Sequence, residues 1–600
     1  MKKLLTTFLL IATALSMAGC SIFDIFDDSQ SNDNADLAIL GEIPDNQIWY
    51  ITYSEVLLTP YDGFASNDTP FDVRIISNEY SDGIGKITFS GPLTTIGTNA
   101  LRSDYRLRSI ALPDSVTTIE ESALENCSNL RSITIGRGLT EVGKRAFSGC
   151  GITNVYLREV EMWERVKFAD HKANPLHGRA NLYLGKEPVE HYTISEGATE
   201  VGDYQFYGCN SLRTITLPES IDHLGEKPFH HCYGLERFEG KFATADGSGL
   251  VVDDTLVAFA PLGRADYTLP EGIKAIESEL FAEHLTLERI TTCDGLETIG
   301  QEAFLLCYNL SEVNFGSGLK EIGEEAFWLC SKLEKMVLPE DIESVGEEAF
   351  AGCAITSLTI PSSVKTLGMG AFGDCKELQS VKIEEGIETI PAILFGGCNK
   401  LIKIELPQSL RVIEERAFTG CRELGSVELP TGLQQIGSGA FSDCRSLMAI
   451  ELPEGITAIE DNTFSLCSNL SFVALHDKIT SIGYYAFSGC RGLEGVEFGS
   501  GVQRIGAHAF QGCTKLQEIT LPENIAEIGA GAFIGCNELK VVYCRRITPP
   551  TATWDYDRWE AFDANAEGRF FIVPTGCVES YATAEGWKDY SESISAPVEG

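Results

Sequence analysis

The chain has 600 residues, of which 44% are hydrophobic and 22% are charged, so it is long and apolar enough to bury a large core. Its 87 acidic and 46 basic residues give a formal net charge of −41, which argues against nucleic-acid binding and against docking onto anionic lipid through a basic patch. The 19 cysteines are too few for this length to indicate a disulfide scaffold.

The first residues predict export. Two lysines precede the apolar run from Leu4 to Met17, which is too short to span a bilayer and is typical of a secretory signal peptide over 1–19. The run ends in Ala18-Gly19-Cys20, which resembles the bacterial lipobox, and that resemblance implies lipidation at Cys20. An ordinary signal peptide with a chance cysteine is the alternative. The polar residues that follow predict a flexible tether over 20–45.

A 23-residue period dominates the rest of the chain. Cysteines recur at this spacing from Cys307 to Cys536, with one step of 22, and a phenylalanine lies three residues before each of them. The phenylalanine column, with leucine in its first two places, runs through 17 repeats from Leu101 to Phe533. A fixed period of this length predicts stacked coils that bury one another's apolar sides.

One repeat begins at Leu424 and reads L-G-S-V-E-L-P-T-G-L-Q-Q-I-G-S-G-A-F-S-D-C-R-S. Positions 3 to 6 predict a short strand, which proline at position 7 ends because it lacks a ladder donor. We expect Gly437, at position 14, to permit a turn that other residues resist. Phe441 then fills the interior between strand layers.

This repeat resembles the 23-residue leucine-rich repeat of BspA-like bacterial surface lipoproteins. The resemblance implies an α/β repeat solenoid, a right-handed arc with short parallel strands on its concave face. It also implies a place on the cell surface, which we expect to be that of the outer membrane. Proteins of this type act as adhesins or interaction scaffolds, and some bind host matrix proteins.

Interruptions and flanks of the repeat suggest the domain boundaries. Residues 46–90 predict a β-rich N-terminal cap, 91–545 the solenoid, and 546–600 a C-terminal capping segment. Inserts near 155–190 and 240–265 break the period. The second insert predicts a hairpin with an Asp-Asp turn. Both inserts are either ligand loops or structural padding.

No catalytic residue, metal site or cofactor is predicted. The chain contains no nucleophile elbow, P-loop, zinc-protease motif or dinucleotide fingerprint. The cysteine column is interpreted as a ladder of buried thiols rather than as metal ligands or disulfides, because parallel neighbours hold their Cβ atoms too far apart. Cys544 and Cys577 lie outside the column and could pair. The adjacent His230 and His231 are interpreted as a surface pair at a repeat corner.

The predicted strands carry a charged stripe at position 5. It includes three successive carboxylates and a fourth further on, with two lysines nearby: Glu405, Glu428, Glu451, Glu497, Lys382 and Lys403. Stacked carboxylates repel one another, so the stripe must be tolerated or compensated. It is either a solvated acidic face or a docking stripe for a basic partner segment or a divalent cation.

The resemblance implies a binding scaffold for extracellular proteins, such as host matrix or partner-cell proteins, and two other classes are considered beside it. The first alternative is a glycan-binding lipoprotein for nutrient capture, for which Trp163 in the first insert is one aromatic candidate. The second is an enzyme with a cleft built from an insert. Membrane contact is expected through the lipid anchor only, and nucleic acid is not expected as a partner. The identity of the ligand and the oligomeric state are left open.

Overall fold

The computed structural model describes residues 41–60, 70–552 and 560–597. The predicted signal peptide, the predicted lipidation residue Cys20 and the first part of the predicted tether lie outside these ranges. The described chain divides into two compact units after Val189.

The first unit contains two sheets. The eight-stranded sheet runs, in spatial order, Glu187–Pro188, Asn181–Leu184, Asn154–Leu157, Ser132–Ile135, Leu107–Ala111, Gln47–Thr52, Ile84–Phe89 and Ile75–Ser81. The four-stranded sheet runs Lys167–Phe168, Glu141–Val142, Thr118–Ile119 and Thr95–Ile96, and two 3-10 helices cover Trp163–Arg165 and His171–Ala173. The strand Gln47–Thr52 pairs antiparallel with Leu107–Ala111, so it covers the edge of the first repeat strand.

The second unit repeats two kinds of strand. Strands at or near positions 3 to 6 are His191–Thr193, Thr214–Leu217, Arg237–Gly240, Asp266–Thr268, Arg289–Thr291, Glu312–Asn314, Ser357–Ile360, Ser380–Ile383, Lys403–Glu405, Phe472–Leu475, Gly495–Phe498, Glu518–Leu521 and Val541–Cys544, followed by Phe570–Ile572 and Ile594–Ser595. Two-residue strands at or near positions 12 and 13 are Glu200–Val201, His223–Leu224, Ala275–Ile276, Thr298–Ile299, Glu321–Ile322, Ser344–Val345, Thr366–Leu367, Thr389–Ile390, Val412–Ile413, Gln435–Ile436, Ala458–Ile459, Ser481–Ile482, Arg504–Ile505, Glu527–Ile528 and Thr551–Ala552. Within each kind, successive hydrogen-bonded strands are parallel.

The predicted solenoid of short parallel strands and 23-residue repeats is confirmed. Its α/β label is a poor description, because Val578–Thr583 is the only α-helix in the described ranges, beside the 3-10 helix Lys588–Ser593. The second ladder, at positions 12 and 13, was not predicted. Its strands have only two residues, too few to show the alternation by which a sequence reveals a strand.

From Phe281 onward, the phenylalanine column is one continuous stack. From Phe281 to Phe562, neighbouring rings lie 4.7–6.1 Å apart with interplanar angles of 1–17°. Phe562 comes from the C-terminal segment and adds a ring beyond Phe533, at 5.2 Å. The core is therefore a line of aromatic rings, each buried by the coils on either side.

Glycine at position 14 has a different role from the one expected. The backbone of Gly437 is not left-handed, but a Cβ on it would lie 2.7 Å from the carbonyl carbon of Glu414 in the preceding coil. Left-handed backbone occurs instead two residues before and two residues after the column phenylalanine, as at Asn462 and Leu466 around Phe464. At Gly437 a side chain would therefore meet the backbone of the neighbouring coil.

The predicted hairpin in the second insert is present. Strands Gly249–Val252 and Thr255–Phe259 pair antiparallel around Asp253 and Asp254, which both have positive φ. That backbone suits a two-residue hairpin turn. Thr255–Phe259 also pairs parallel with Ala275–Ile276, so this insert is built into the second ladder.

Candidate functional site

The predicted binding stripe begins on well-formed strands. In Lys403–Glu405 the side chain of Ile404 is buried, whereas its two neighbours are exposed, because successive side chains point to opposite faces. Glu405 pairs in register with Lys382 on the neighbouring strand Ser380–Ile383. The stripe at this end is therefore an ordered, solvent-facing row.

The charges in this row are already compensated. Nζ of Lys403 lies 2.5 Å from Oε1 of Glu405, and Nζ of Lys382 lies 3.1 Å from Oε1 of Glu384. The hydrogen bond from Lys403 lowers the pKa of Glu405, and the same bond raises the pKa of Lys403. Exposed pairs of this kind contribute little to stability. Lys403, the compensator expected for the stripe, thus pairs with Glu405, and its charge also acts on Glu428.

The other three predicted carboxylates have no such partner. Glu428, Glu451 and Glu497 are exposed, and across the described residues their side chains make no hydrogen bond or salt bridge. Elsewhere on the surface, acidic residues commonly pair with a cation one repeat away, as Glu297 does with Lys320 at 2.9 Å. These three carboxylates are therefore available to a ligand.

Two of the three lie where the expected strand is missing. The strands at positions 3 to 6 stop after Lys403–Glu405 and resume at Phe472–Leu475, so Glu428 and Glu451 do not lie on strands. In this ladder, an isolated bridge between Ala449 and Phe472 is the only pairing described between those two strands.

A pocket of about 490 Å³ lies beside Glu451 and Glu497. Ala474 occupies position 5 of the repeat between them and pairs in register with Glu497. Because alanine has a short side chain, the row of position-5 side chains dips there. Leu452, Leu475 and Phe498 line the pocket, together with Ile450, His476 and Gly499.

Exposed apolar side chains lie next to the pocket. Phe472, two residues before Ala474 on the same strand face, is 45% exposed, and Met448 is 62% exposed. The Phe472 ring extends over Gly495, where its edge lies 3.3 Å from the place a Cβ would take. Sequence reasoning missed these residues. The available signal was an aromatic residue at position 3, where the neighbouring repeats have lysine, serine, alanine and glycine.

The first insert does not present the aromatic sugar-binding residue that was considered for it. Trp163 is fully buried and packs against Phe168 at 5.3 Å, so it is wrong as a sugar-stacking platform. The first insert contributes the strands Lys167–Phe168 and Asn181–Leu184 to the two sheets of its unit. The insert extends the stack of coils. The apolar ring of Trp163 is buried inside that stack, as the rings of the column phenylalanines are.

The histidine pair is not a surface pair. His230 is buried, and its Nε2 lies 3.9 Å from Oε2 of Glu277. Burial lowers the pKa of His230 to about 3 and raises the pKa of Glu277 to about 7. In the part of the chain that the structure describes, no three His, Cys, Asp or Glu side chains converge on a possible metal position.

The cysteine column is a ladder of free, hydrogen-bonded thiols. Sγ of Cys444 donates to the carbonyl oxygen of Phe418 in the preceding coil, at 3.3 Å, and the same contact recurs along the column. The thiols thus link coils as well as filling space. Cys544 and Cys577, which could have paired, are both free.

The fold defines a leucine-rich-repeat scaffold with an open, shallow outer face. The family model described as "BspA type Leucine rich repeat region (6 copies)" matches residues 70–173, 179–242, 258–378, 343–471 and 434–548. These segments cover more than half of the chain, which therefore belongs to the BspA-type leucine-rich-repeat family.

Solved structures of bacterial leucine-rich-repeat proteins are also similar. A leucine rich cell surface protein from Faecalibacterium prausnitzii A2-165 is 24% identical over 58% of this chain and 99% of its own, with a TM-score of 0.36. A leucine-rich repeat protein from Bacteroides ovatus ATCC 8483 is 22% identical over 79% of this chain and 95% of its own, with a TM-score of 0.33. No curated protein matches. Among the described residues, none of the helices has the length and apolar character needed to cross a bilayer.

Proposed function

We propose that the mature protein is a lipid-anchored scaffold on the bacterial cell surface, and that its position-5 face binds extracellular protein ligands. Membership of the BspA-type family supports the scaffold role. The signal peptide and the Ala18-Gly19-Cys20 motif support export and anchoring through Cys20. The outer membrane is the anchoring membrane in this proposal.

The observation that carries the binding role is the composition of the face. Glu428, Glu451 and Glu497 are exposed without partners, and they lie among exposed apolar side chains such as Phe472. Protein interfaces combine aromatic anchors with a polar surround in this way. A broad, shallow surface of varied side chains favours binding over catalysis, which needs groups converging on one reacting atom.

The binding role is tested with the purified mature chain on an array of extracellular-matrix proteins, cell-surface proteins and glycans. We expect protein ligands whose binding is weakened by Glu428→Lys while the melting temperature stays unchanged, because Glu428 is exposed and unpaired. Glu460→Lys is the matched control, since it makes the same charge change at position 14, away from this face. Glycan ligands without protein ligands would contradict the proposal and favour nutrient capture.

The anchor is tested in cells of the source bacterium. Fatty-acid labelling of the wild-type protein and its loss in Cys20→Ala would support lipidation at Cys20. Protease digestion of intact cells should remove the repeat region if it lies on the outer surface. Full protection of that region would refute surface exposure.

A further inference from the structure

Four features surround Ala474 on the surface, two across the repeats and two along the strand. Across the repeats, Glu451 lies on one side of Ala474 and Glu497 on the other. Along the strand, Phe472 lies on one side and the apolar pocket formed by Leu475 and its neighbours on the other. We call this surface the Ala474 notch. It is the one place on the charged stripe where a small side chain opens a pocket between two unpaired carboxylates.

The notch combines two chemical requirements for an occupant. The apolar floor and the exposed Phe472 ring favour a ligand with rigid apolar groups, because burying such surface removes it from water. The two flanking carboxylates favour cationic groups at the edges, and Phe472 adds a ring face to which a cation is attracted. Cations are scarce here, since the nearby Lys478 is already paired with Glu454 at 2.9 Å.

The spacing of the carboxylates selects the conformation of the occupant. Glu451 and Glu497 are two coils apart, which corresponds to about 10 Å at the usual interstrand distance. In a polyproline II helix, residues three apart lie on the same side at about 9 Å, because the rise is 3.1 Å per residue and a turn takes three residues. Proline-rich segments in this conformation bind aromatic-lined grooves at low entropic cost.

We propose that the Ala474 notch binds a proline-rich segment of a partner protein that carries basic residues three positions apart. The two basic side chains pair with Glu451 and Glu497, and the prolines between them pack on Ala474, Phe472 and the pocket. This inference rests on the proposed function as a protein-binding scaffold and names the chemistry of one ligand segment.

The test uses the mature full-length chain and two nine-residue peptides with the same composition. One is a proline peptide with arginine at every third position; in the other the three arginines are contiguous. By fluorescence anisotropy we expect the spaced peptide to bind about threefold more tightly than the contiguous one, the effect of one exposed ion pair. Equal or tighter binding of the contiguous peptide would show general charge attraction and overturn the proposal.

Variants locate the binding on the surface. Glu451→Gln with Glu497→Gln should weaken the spaced peptide about tenfold, since two ion pairs are lost. The matched control is Glu388→Gln with Glu460→Gln, which removes the same charge at positions 11 and 14 of their repeats, outside the position-5 face, and should leave affinity unchanged. Wild-type affinity in the notch double variant would overturn the proposal. Phe472→Ala should weaken binding without lowering the melting temperature, because the ring is exposed.

The array experiment separates this proposal from the scaffold function. A protein ligand that binds the notch double variant and the wild type equally would leave the scaffold function standing and overturn the notch as its binding site. An array without any protein ligand would overturn the scaffold function itself.

Discussion

Replacing Phe441 with alanine should destabilise the solenoid more than almost any other single change. Its ring is fully buried and lies 5.2 Å from Phe418 and 5.8 Å from Phe464, nearly parallel to both. Truncating a buried phenylalanine to alanine costs about 3–5 kcal/mol, including the cavity left behind. Within that loss, each ring contact accounts for about 0.5–1.5 kcal/mol.

The loss should be local, because each coil contacts only its neighbours. A long repeat array need not unfold in one step, so hydrogen exchange followed by mass spectrometry is the appropriate assay. We expect faster exchange in the coils that contain Phe418, Phe441 and Phe464, together with a lower first unfolding midpoint. Distant coils should exchange as in the wild type.

Phe472→Ala is the matched control, since it makes the same substitution two repeats further on, at a side chain that is 45% exposed. We expect it to cost less than about 1 kcal/mol. Equal effects of Phe441→Ala and Phe472→Ala would refute the claim that the ring column holds the coils together. So would a loss below about 1 kcal/mol for Phe441→Ala.

Three further predictions concern other parts of the repeat. Gly437→Ala should lower stability by about 1–3 kcal/mol in thermal unfolding, because its Cβ would lie 2.7 Å from the backbone of the preceding coil. The control Gly425→Ala, whose nearest contact would be at 4.0 Å, should be nearly neutral. Similar losses of stability in the two variants would refute the close contact at Gly437. Burial raises the pKa of Cys444 well above its usual value, so this thiol should resist alkylation of the native protein at pH 8. Mass spectrometry should find Cys444 unlabelled and the partly exposed Cys577 labelled. Labelling of both would contradict the buried ladder of thiols. His284 occupies the cysteine place of its coil, and burial lowers its pKa to about 4. The unfolded histidine takes up its proton near pH 6.5, so the free energy of unfolding falls as the pH is lowered from about 6.5 to 4. When the pH is lowered from 7.5 to 5, His284→Cys should therefore lose about 2 kcal/mol less stability than the wild type. Identical pH profiles of the two proteins would refute this.

Much of the architecture could be predicted because the repeat is periodic. Phe304, Phe327 and Phe441 recur at the same place in their repeats, and an apolar residue that recurs in stacked coils must face a common interior. The structure places all three rings in one stack. The hairpin at Asp253 and Asp254 was equally visible, since two apolar runs flank two turn-forming residues.

Other features could not be predicted because they depend on contacts between coils. The glycine at position 14 suggested a turn, but Gly437 is needed where its backbone meets the coil before it. Trp163 and His230 were interpreted as exposed, yet both are buried. For Gly437 and His230 the relevant neighbours, Glu414 and Glu277, lie at least one coil away along the chain.

The outward row of charged side chains could also be predicted only in part from the sequence. The sequence placed Glu405, Glu428, Glu451 and Glu497 in one outward column, since their position in the repeat determines which way they point. It did not show that Lys403 neutralises Glu405 while the other three carboxylates lack partners.

The amino-acid sequence determined the period, the column of buried rings and the outward row of side chains, because these depend only on which residue types recur at which spacing. Tertiary structure decided where coils touch, where the ladder of strands breaks and which carboxylates lack a partner. These properties depend on distances between side chains of different coils, and such distances exist only once the coils have stacked.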